Sequence, residues 1–234
     1  MQRIIPGLLA LLLIACGGGD DDAEETPVPT PTEDALTAER ILEDAVAAAD
    51  DLETFHFKLT QEDATIPIPP NLDLESAEGD LVLPDRLKAE LESDVQGINI
   101  SVDAIAIGSD TWITNPFTRR WQQLDVDLRD YADLGALLPV ILPAIEEPML
   151  VGTTTIDGTE AYQIEGVANS ADLQDALPFA LPEREVRIEL WLGVDDLLPR
   201  RVRVIGELIS GEGENAVREI NLSQINQPVE INPP

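Results

Sequence analysis

The sequence predicts an α+β fold, a meander of about ten antiparallel strands with two or three helices. From Phe55 to the last fifteen residues, short runs alternate apolar and polar side chains, which is the pattern of half-buried strands. Helical spacing is confined to one segment before these runs and two segments between them. Because the runs follow one another through short turns, we expect antiparallel pairing within a single domain, residues 35–234.

The first sixteen residues form a separate unit. Arg3 precedes an apolar run, residues 4–14, and Ala15 stands directly before Cys16, the single cysteine of the chain. The run has the length of a signal peptide and is too short to span a bilayer comfortably. The segment resembles a bacterial lipobox, which predicts a signal peptide at residues 1–15 and a lipid on Cys16. The alternatives are an ordinary secretory signal with a chance cysteine and a buried helix.

Residues 16–34 are predicted to be a flexible tether. They contain three glycines, three consecutive aspartates and Thr/Pro repeats, with no apolar group large enough to offset the entropy of ordering. Together with a lipid on Cys16, this places the domain at the extracytoplasmic face of the bacterial cell membrane, held there by the lipid anchor.

The charge balance excludes some partners. Without residues 1–15 the chain carries 13 basic and 46 acidic residues, a net charge near −33. A surface this negative repels phosphate backbones, so nucleic acid is not expected as a partner. The acidity also fits a solubility role or a saline or acidic habitat. With one cysteine, no intramolecular disulfide can form, and the core must hold the fold.

The elements follow in order. Residues from Ala38 to Leu52 place apolar side chains, including Ile41 and Val46, on one helical face, and Thr37 or Asp34 can cap the start. Residues 66–70 read as a proline-broken loop. Asp157-Gly158 is the strongest hairpin signal. The predicted strands are 55–60, 76–83, 86–95, 98–107, 111–114, 120–124, 149–156, 159–168, 185–192, 200–209 and 216–225.

Two segments interrupt the strands. Residues 131–145 are apolar and contain Pro139 and Pro143, which predicts a kinked or broken helix. Residues 170–177 are predicted to form a short helix that Ser170 caps and Pro178 ends.

The chemistry of the side chains argues against an enzyme. His56 is the single histidine and alternates with Phe55 and Phe57, as a hydrogen-bonded or exposed strand residue would. One histidine cannot build the usual zinc site. The sequence also lacks a G-x-S-x-G nucleophile turn and a phosphate-binding glycine loop. We expect no catalytic residue, no metal and no cofactor.

An ordered set of landmarks resembles the LppX/LprG (LppX_LprAFG) family of envelope lipoproteins. They are Phe55-His56-Phe57, Ala77-Glu78-Gly79-Asp80 followed by Pro84-Asp85, then Gly108, Trp112 and Trp121, and finally the run from Leu197 to Val202. The resemblance covers roughly residues 38–225. It implies a LolA-like fold, in which a strongly curved half-barrel sheet has helices over its concave side, and it implies a lipid or glycolipid ligand in the apolar space between them.

The preferred hypothesis is a membrane-anchored, non-enzymatic carrier that holds lipid acyl chains in this space. The alternatives are an envelope interaction or sensor module with a filled core, which binds a protein partner, and a LolA/LolB-like lipoprotein chaperone. For the carrier, the residues expected to line the cavity are Phe57, Leu59, Ile100, Val102, Leu137, Ile141, Val186, Ile188 and Leu190.

Overall fold

Twelve β-strands and two α-helices form the part of the chain described by the structure, a computed structural model that covers residues 36–68, 72–95, 97–131 and 133–234. The predicted signal peptide, Cys16 and the tether lie outside these residues. The strands are β1 (Thr54–Glu62), β2 (Ile66–Ile68), β3 (Leu72–Val82), β4 (Arg86–Val95), β5 (Ile98–Ile107), β6 (Asp110–Thr114), β7 (Trp121–Leu124), β8 (Glu146–Ile156), β9 (Thr159–Asn169), β10 (Glu185–Gly193), β11 (Pro199–Ile205) and β12 (Val217–Ser223). The helices are α1 (Ala38–Ala49) and α2 (Leu137–Ala144).

The strands form one antiparallel sheet that does not close. Its order is β7-β6-β5-β4-β3-β1-β12-β11-β10-β9-β8, and β2 adds to β3 beyond the end of β1. Strands adjacent in sequence pair along most of this order. The exception is β1, which pairs with β3 on one side and with β12 on the other, so that Leu59 faces Ile220 and Gln61 faces Arg218. The N- and C-terminal halves of the sheet therefore meet at the β1–β12 ladder.

Alternation gives the sheet one apolar face. In β1, Phe57 and Leu59 are buried, whereas His56 is partly exposed and Lys58 is exposed on the opposite side. The buried side chains of the strands join those of α1 and α2 in one hydrophobic core. The predicted fold class, a curved antiparallel sheet covered by helices, is confirmed.

Helix α1 begins and ends close to its predicted bounds. Thr37 is its N-cap, and its hydroxyl accepts a hydrogen bond from the backbone N–H of Arg40 at 3.3 Å. Ala38, Ile41, Leu42 and Ala45 are buried, as expected from the spacing. Val46 was expected on the same face but is 43% exposed.

Two predictions about connections were wrong. Part of the expected loop at 66–70 is the strand β2, in which Ile66 pairs with Leu74 and Ile68 with Leu72. Pro67 is compatible with this strand because β2 pairs on one side only, so the missing N–H is not needed. The predicted helix at 170–177 is only a 3-10 turn, Ser170–Leu173.

The cap of that 3-10 turn is also different from the prediction. The Asn169 side chain accepts the hydrogen bond from the backbone N–H of Ala171 at 2.9 Å. Ser170 is fully buried and instead donates its hydroxyl to the carbonyl of Leu181 at 2.5 Å. It also accepts a bond from the N–H of Arg184 at 2.9 Å. Ser170 therefore fixes the connection between β9 and β10.

The helix predicted over residues 131–145 is shorter than expected, and both of its prolines lie within the continuous helix α2. The segment between β7 and β8 contains a 3-10 turn, Leu128–Asp130, followed by α2. Pro139 lies in the first turn of α2, where backbone N–H groups have no partner within the helix. Pro143 lies in the last turn, and the helix ends one residue later. This segment spans the concave side of the sheet with little regular structure of its own.

Candidate functional site

An apolar cavity of about 120 Å³ lies between the concave face of the sheet and residues 128–141. Its floor comes from β1, β2, β3, β4, β5, β11 and β12. Ala106 of β5 and Val202 of β11 both line it, although five ladder steps separate these strands. Five steps are about 24 Å in a flat sheet at ~4.8 Å per step. The sheet therefore curves around the cavity.

Three adjacent strands carry small residues at facing positions, none of which lines the cavity. Gly79 of β3, Ala89 of β4 and Ala104 of β5 stand opposite one another in the ladders, next to Phe57 of β1. A Cβ on Gly79 would lie 2.6 Å from the Cα of Ala89, so no larger residue fits there without a shift of the backbone. Strands β3 and β4 therefore approach each other closely at this point.

We call residues 128–144, of which residue 132 is not described, the cover. Leu134, Leu137 and Ile141 of the cover face the cavity, and Ile141 has no exposed surface. Among the described residues, the cover makes a single backbone hydrogen bond to a distant element, from Asp133 N to Ala176 O at 3.0 Å. Within the ranges that the structure describes, it makes no backbone hydrogen bond to a strand of the sheet. Side-chain packing therefore holds most of the cover in place.

Polar residues gather at one end of the cavity, which we call the mouth. Asp85, Arg129, Tyr131 and Asp133 line it there, close to the turn that joins β3 to β4. Arg129 donates from Nε to Oδ1 of Asp127 at 3.0 Å and from Nη2 to Oδ2 at 2.6 Å.

This bidentate pair shifts the pKa values of both groups. Hydrogen bonding to Arg129 lowers the pKa of Asp127 below its ordinary value, and the same bonds raise the pKa of Arg129, with smaller contributions from Asp133 and Asp85. Arg129 is therefore a charged residue fixed at the mouth.

The opposite end of the cavity is buried and contains a cation. Arg218 of β12 lines the cavity and is 4% exposed. The register places it opposite Gln61, near the end of β1, whereas the mouth lies near the start of β1. Arg218 was not among the residues predicted from the sequence to line the cavity. A signal was present, because Arg218, Ile220 and Leu222 share one phase of the alternating run, and a basic residue in the buried phase is unusual.

The nine residues expected to line the cavity occupy three kinds of position. Phe57, Leu59, Leu137 and Ile141 line it. Val102 of β5 and three residues of β10, Val186, Ile188 and Leu190, are buried in the same hydrophobic core but lie outside the cavity wall. Ile100 is partly buried near the start of β5 and is also outside the wall. A role for any of the nine in ligand binding stays a prediction.

His56 lies on the other face of the sheet from the cavity. Its Nδ1 is 2.9 Å from Oδ1 of Asp80, and its Nε2 is 3.5 Å from Oε1 of Glu78. It is thus a partly buried, hydrogen-bonded strand residue. The described part of the chain contains no group of three or more His, Cys, Asp or Glu side chains arranged to hold a metal ion.

No helix within the described ranges is both long enough and apolar enough to cross a bilayer.

A family model and two solved structures resemble the chain. Nothing among the curated proteins matches the chain. LprF from Mycobacterium bovis matches with 17% identity and a TM-score of 0.67 over 84% of this chain and 96% of that one. The lipoprotein LppX from Mycobacterium tuberculosis matches with 16% identity and a TM-score of 0.59 over 83% of this chain and 98% of that one. At these identities the two structures show a shared fold. The family model described as LppX_LprAFG lipoprotein matches residues 37–231, so the chain belongs to the LppX_LprAFG lipoprotein family.

Proposed function

We propose that this protein is a membrane-anchored envelope lipoprotein that binds the acyl chains of a lipid or glycolipid in its cavity and carries them within the cell envelope, without catalysis. The observation that supports this best is the apolar cavity between a continuous antiparallel sheet and a cover held mainly by packing. Burying apolar surface there contributes roughly 25 cal/mol per Å².

The volume of the cavity limits what enters it without movement. A site for a drug-sized molecule has about 300–1,000 Å³, and an engineered apolar cavity of about 150 Å³ admits benzene. At about 120 Å³, this cavity holds a short stretch of one acyl chain. A carrier of whole chains must therefore widen the space, and the cover is the wall that can move without breaking strand pairing.

The membrane anchor is proposed from the sequence. With a lipid on Cys16, an extended segment of residues 17–34 at about 3.3 Å per residue would let the domain range some ~60 Å from the membrane. Such a tether allows the domain to take up a lipid at the bilayer and present it outward without diffusing away. Cys16→Ser should release a folded domain that still binds lipid. Retention of the variant at the membrane at the wild-type level would contradict a lipid anchor.

Native mass spectrometry tests the binding itself. Protein purified gently from its own membranes should carry lipid adducts, and protein stripped of lipid should take up acyl chains added in micelles or vesicles. A protein that is consistently free of ligand, and that takes up none, would refute the carrier function.

A second function is supported by one observation. The cavity is smaller than a whole lipid, as expected for an envelope interaction or sensor module with a nearly filled core. That module would bind a protein partner through its acidic surface and would show no lipid uptake in the same measurements. Salt-sensitive capture of an envelope protein by the lipid-free domain would support it.

A further inference from the structure

Arg218 is a buried guanidinium with spare hydrogen-bond donors at the inner end of an apolar cavity. Its Nη2 donates to the carbonyl of Thr65 at 2.8 Å and to Oε1 of Glu212. Among the described residues, its Nε and Nη1 have no hydrogen-bond partner. The Phe179 ring lies 5.5 Å from its Cζ and covers one side of the group.

Glu212 is fixed independently of any ligand. Its carboxylate accepts backbone N–H bonds from Thr65 at 3.2 Å, from Leu208 at 3.1 Å and from Ile209 at 3.0 Å, as well as the bond from Arg218. It balances the charge of Arg218 but does not reach the two spare nitrogens. The site therefore offers N–H donors without an excess of charge.

Buried guanidinium donors are unfavourable unless an acceptor oxygen meets them. The remainder of the cavity wall near Arg218 is apolar, with Ile66, Ile68, Leu74 and Ile220 as its neighbours along the lining. Nε and Nη1 are covered in this structure, as is the unpaired Oε1 of Gln61, which faces Arg218 in the β1–β12 ladder. A molecule that widens the cavity would bring an acceptor oxygen to these donors.

We propose that Arg218 anchors the ligand by donating a hydrogen bond to the carbonyl oxygen of an acyl chain, which enters the cavity carbonyl end first. Because Glu212 already balances the charge, the carbonyl of a neutral ester and that of a fatty acid both satisfy the donors. This inference rests on the proposed lipid-binding function and adds to it the polar contact and the direction of the ligand.

The experiment compares three probes of equal chain length on lipid-free protein: palmitic acid, methyl palmitate and hexadecane. Each displaces an apolar fluorescent dye from the wild type, from Arg218→Lys and from Arg203→Lys. Lysine keeps the charge opposite Glu212 but has three N–H donors instead of five, and Glu212 and Thr65 accept two of them. Arg203 is a matched control, since it lies on the neighbouring strand β11, pairs with Glu189 and Glu219, and does not line the cavity.

The wild type and Arg203→Lys should bind the two carbonyl probes about tenfold tighter than hexadecane, which corresponds to one hydrogen bond to a charged group. Arg218→Lys should lose most of that preference and leave hexadecane binding unchanged. Loss for palmitic acid alone identifies a carboxylate as the ligand group, and loss for both probes identifies the shared carbonyl.

Failure of the proposed carrier function and failure of the Arg218 anchor give different results. Wild-type protein that binds none of the three probes refutes the proposed function and the anchor together. Equal binding of all three probes, or a carbonyl preference that Arg218→Lys retains, is compatible with the carrier function but refutes the role of Arg218 as the ligand anchor. If Arg218→Lys does not fold, infrared spectra of methyl palmitate with a ¹³C carbonyl, bound to the wild type, decide the question. A carbonyl band shifted to lower frequency than in hexane supports the anchor, and an unshifted band refutes it.

Discussion

Two neighbouring residues of α2 separate the wall of the cavity from the packed core. Ile141 lines the cavity, whereas Leu142 does not, and the two are 0% and 2% exposed. Replacing either by alanine removes three carbons from a buried aliphatic side chain on the same helix. Any difference between Ile141→Ala and Leu142→Ala therefore reports on their surroundings and not on the amount of apolar surface removed.

The loss of unfolding free energy in each variant has two parts, the lost transfer of apolar carbons into the core and the space left behind. Three carbons at ~0.8 kcal/mol each contribute about 2.4 kcal/mol of transfer free energy. A term for the space left behind brings such substitutions to about 2–5 kcal/mol. Ile141 borders the cavity, so part of the space left by its three carbons joins space that already exists, and we expect about 2–3 kcal/mol for Ile141→Ala. Leu142 is buried in the core and borders no part of the cavity, so we expect about 3–5 kcal/mol for Leu142→Ala.

Denaturant unfolding of lipid-free protein measures both free energies, and dye displacement by methyl palmitate measures binding. Ile141→Ala should bind the ester at least as tightly as the wild type, because the cavity widens, and Leu142→Ala should leave binding unchanged. An equal or larger stability loss for Ile141→Ala than for Leu142→Ala would refute the assignment of Ile141 to a cavity wall. So would weaker ester binding by Ile141→Ala.

Three further predictions concern the floor, the mouth and the cover. Gly79→Ala should lower the midpoint of thermal unfolding by several degrees, because the new Cβ would meet Ala89. Gly213→Ala is the control and should change the midpoint little, because the nearest atom to its new Cβ is 3.9 Å away. Similar midpoints for the two variants would contradict the close approach of β3 and β4. The lowered pKa of Asp127 means that its pair with Arg129 contributes its full stabilisation above the unfolded-state pKa near 3.8 and loses it as the pH falls through the lower folded pKa. Asp127→Asn should therefore cost less than about 1 kcal/mol at neutral pH, and less as the pH is lowered below that range. A deficit that does not shrink in acid would contradict this. Amides of the cover should exchange hydrogen faster than those of the β1–β12 ladder, and equal protection would show that the cover opens only on global unfolding.

Alternation in the sequence was enough to predict most of the sheet. The predicted bounds of β4 and β5 coincide with the observed ones, and the Asp157-Gly158 turn joins β8 to β9 with both residues at positive φ. These features depend on local chemistry, namely side-chain period and turn conformation. The sequence could not give the short strand β2, because its pairing with β3 is decided by the residues beside it in space.

The position of the cavity could not be read from alternation either. Leu59 and Ile188 both occupy the apolar phase of a strand, and both are buried. Only Leu59 lines the cavity, because the elements that pack on β10 fill the space above Ile188. Periodicity tells which side of a strand faces the interior, but not whether the interior at that point is packed. A charged residue in the buried phase of a strand, such as Arg218, is a better indicator of a site in the interior than an apolar residue is.

The connectivity of the chain explains how such a cavity can open. The cover is the link between β7 and β8, which are the two edge strands of the sheet, and the cavity lies across the ladder where the two halves of the chain meet. Its ends are therefore tied covalently to opposite edges while its middle rests on the concave face by packing. Displacing the middle exposes apolar surface but breaks no strand pairing, so its cost is far below that of unfolding. Ligand exchange should then follow the local opening of the cover, and substitutions that stabilise only the sheet should leave its rate unchanged.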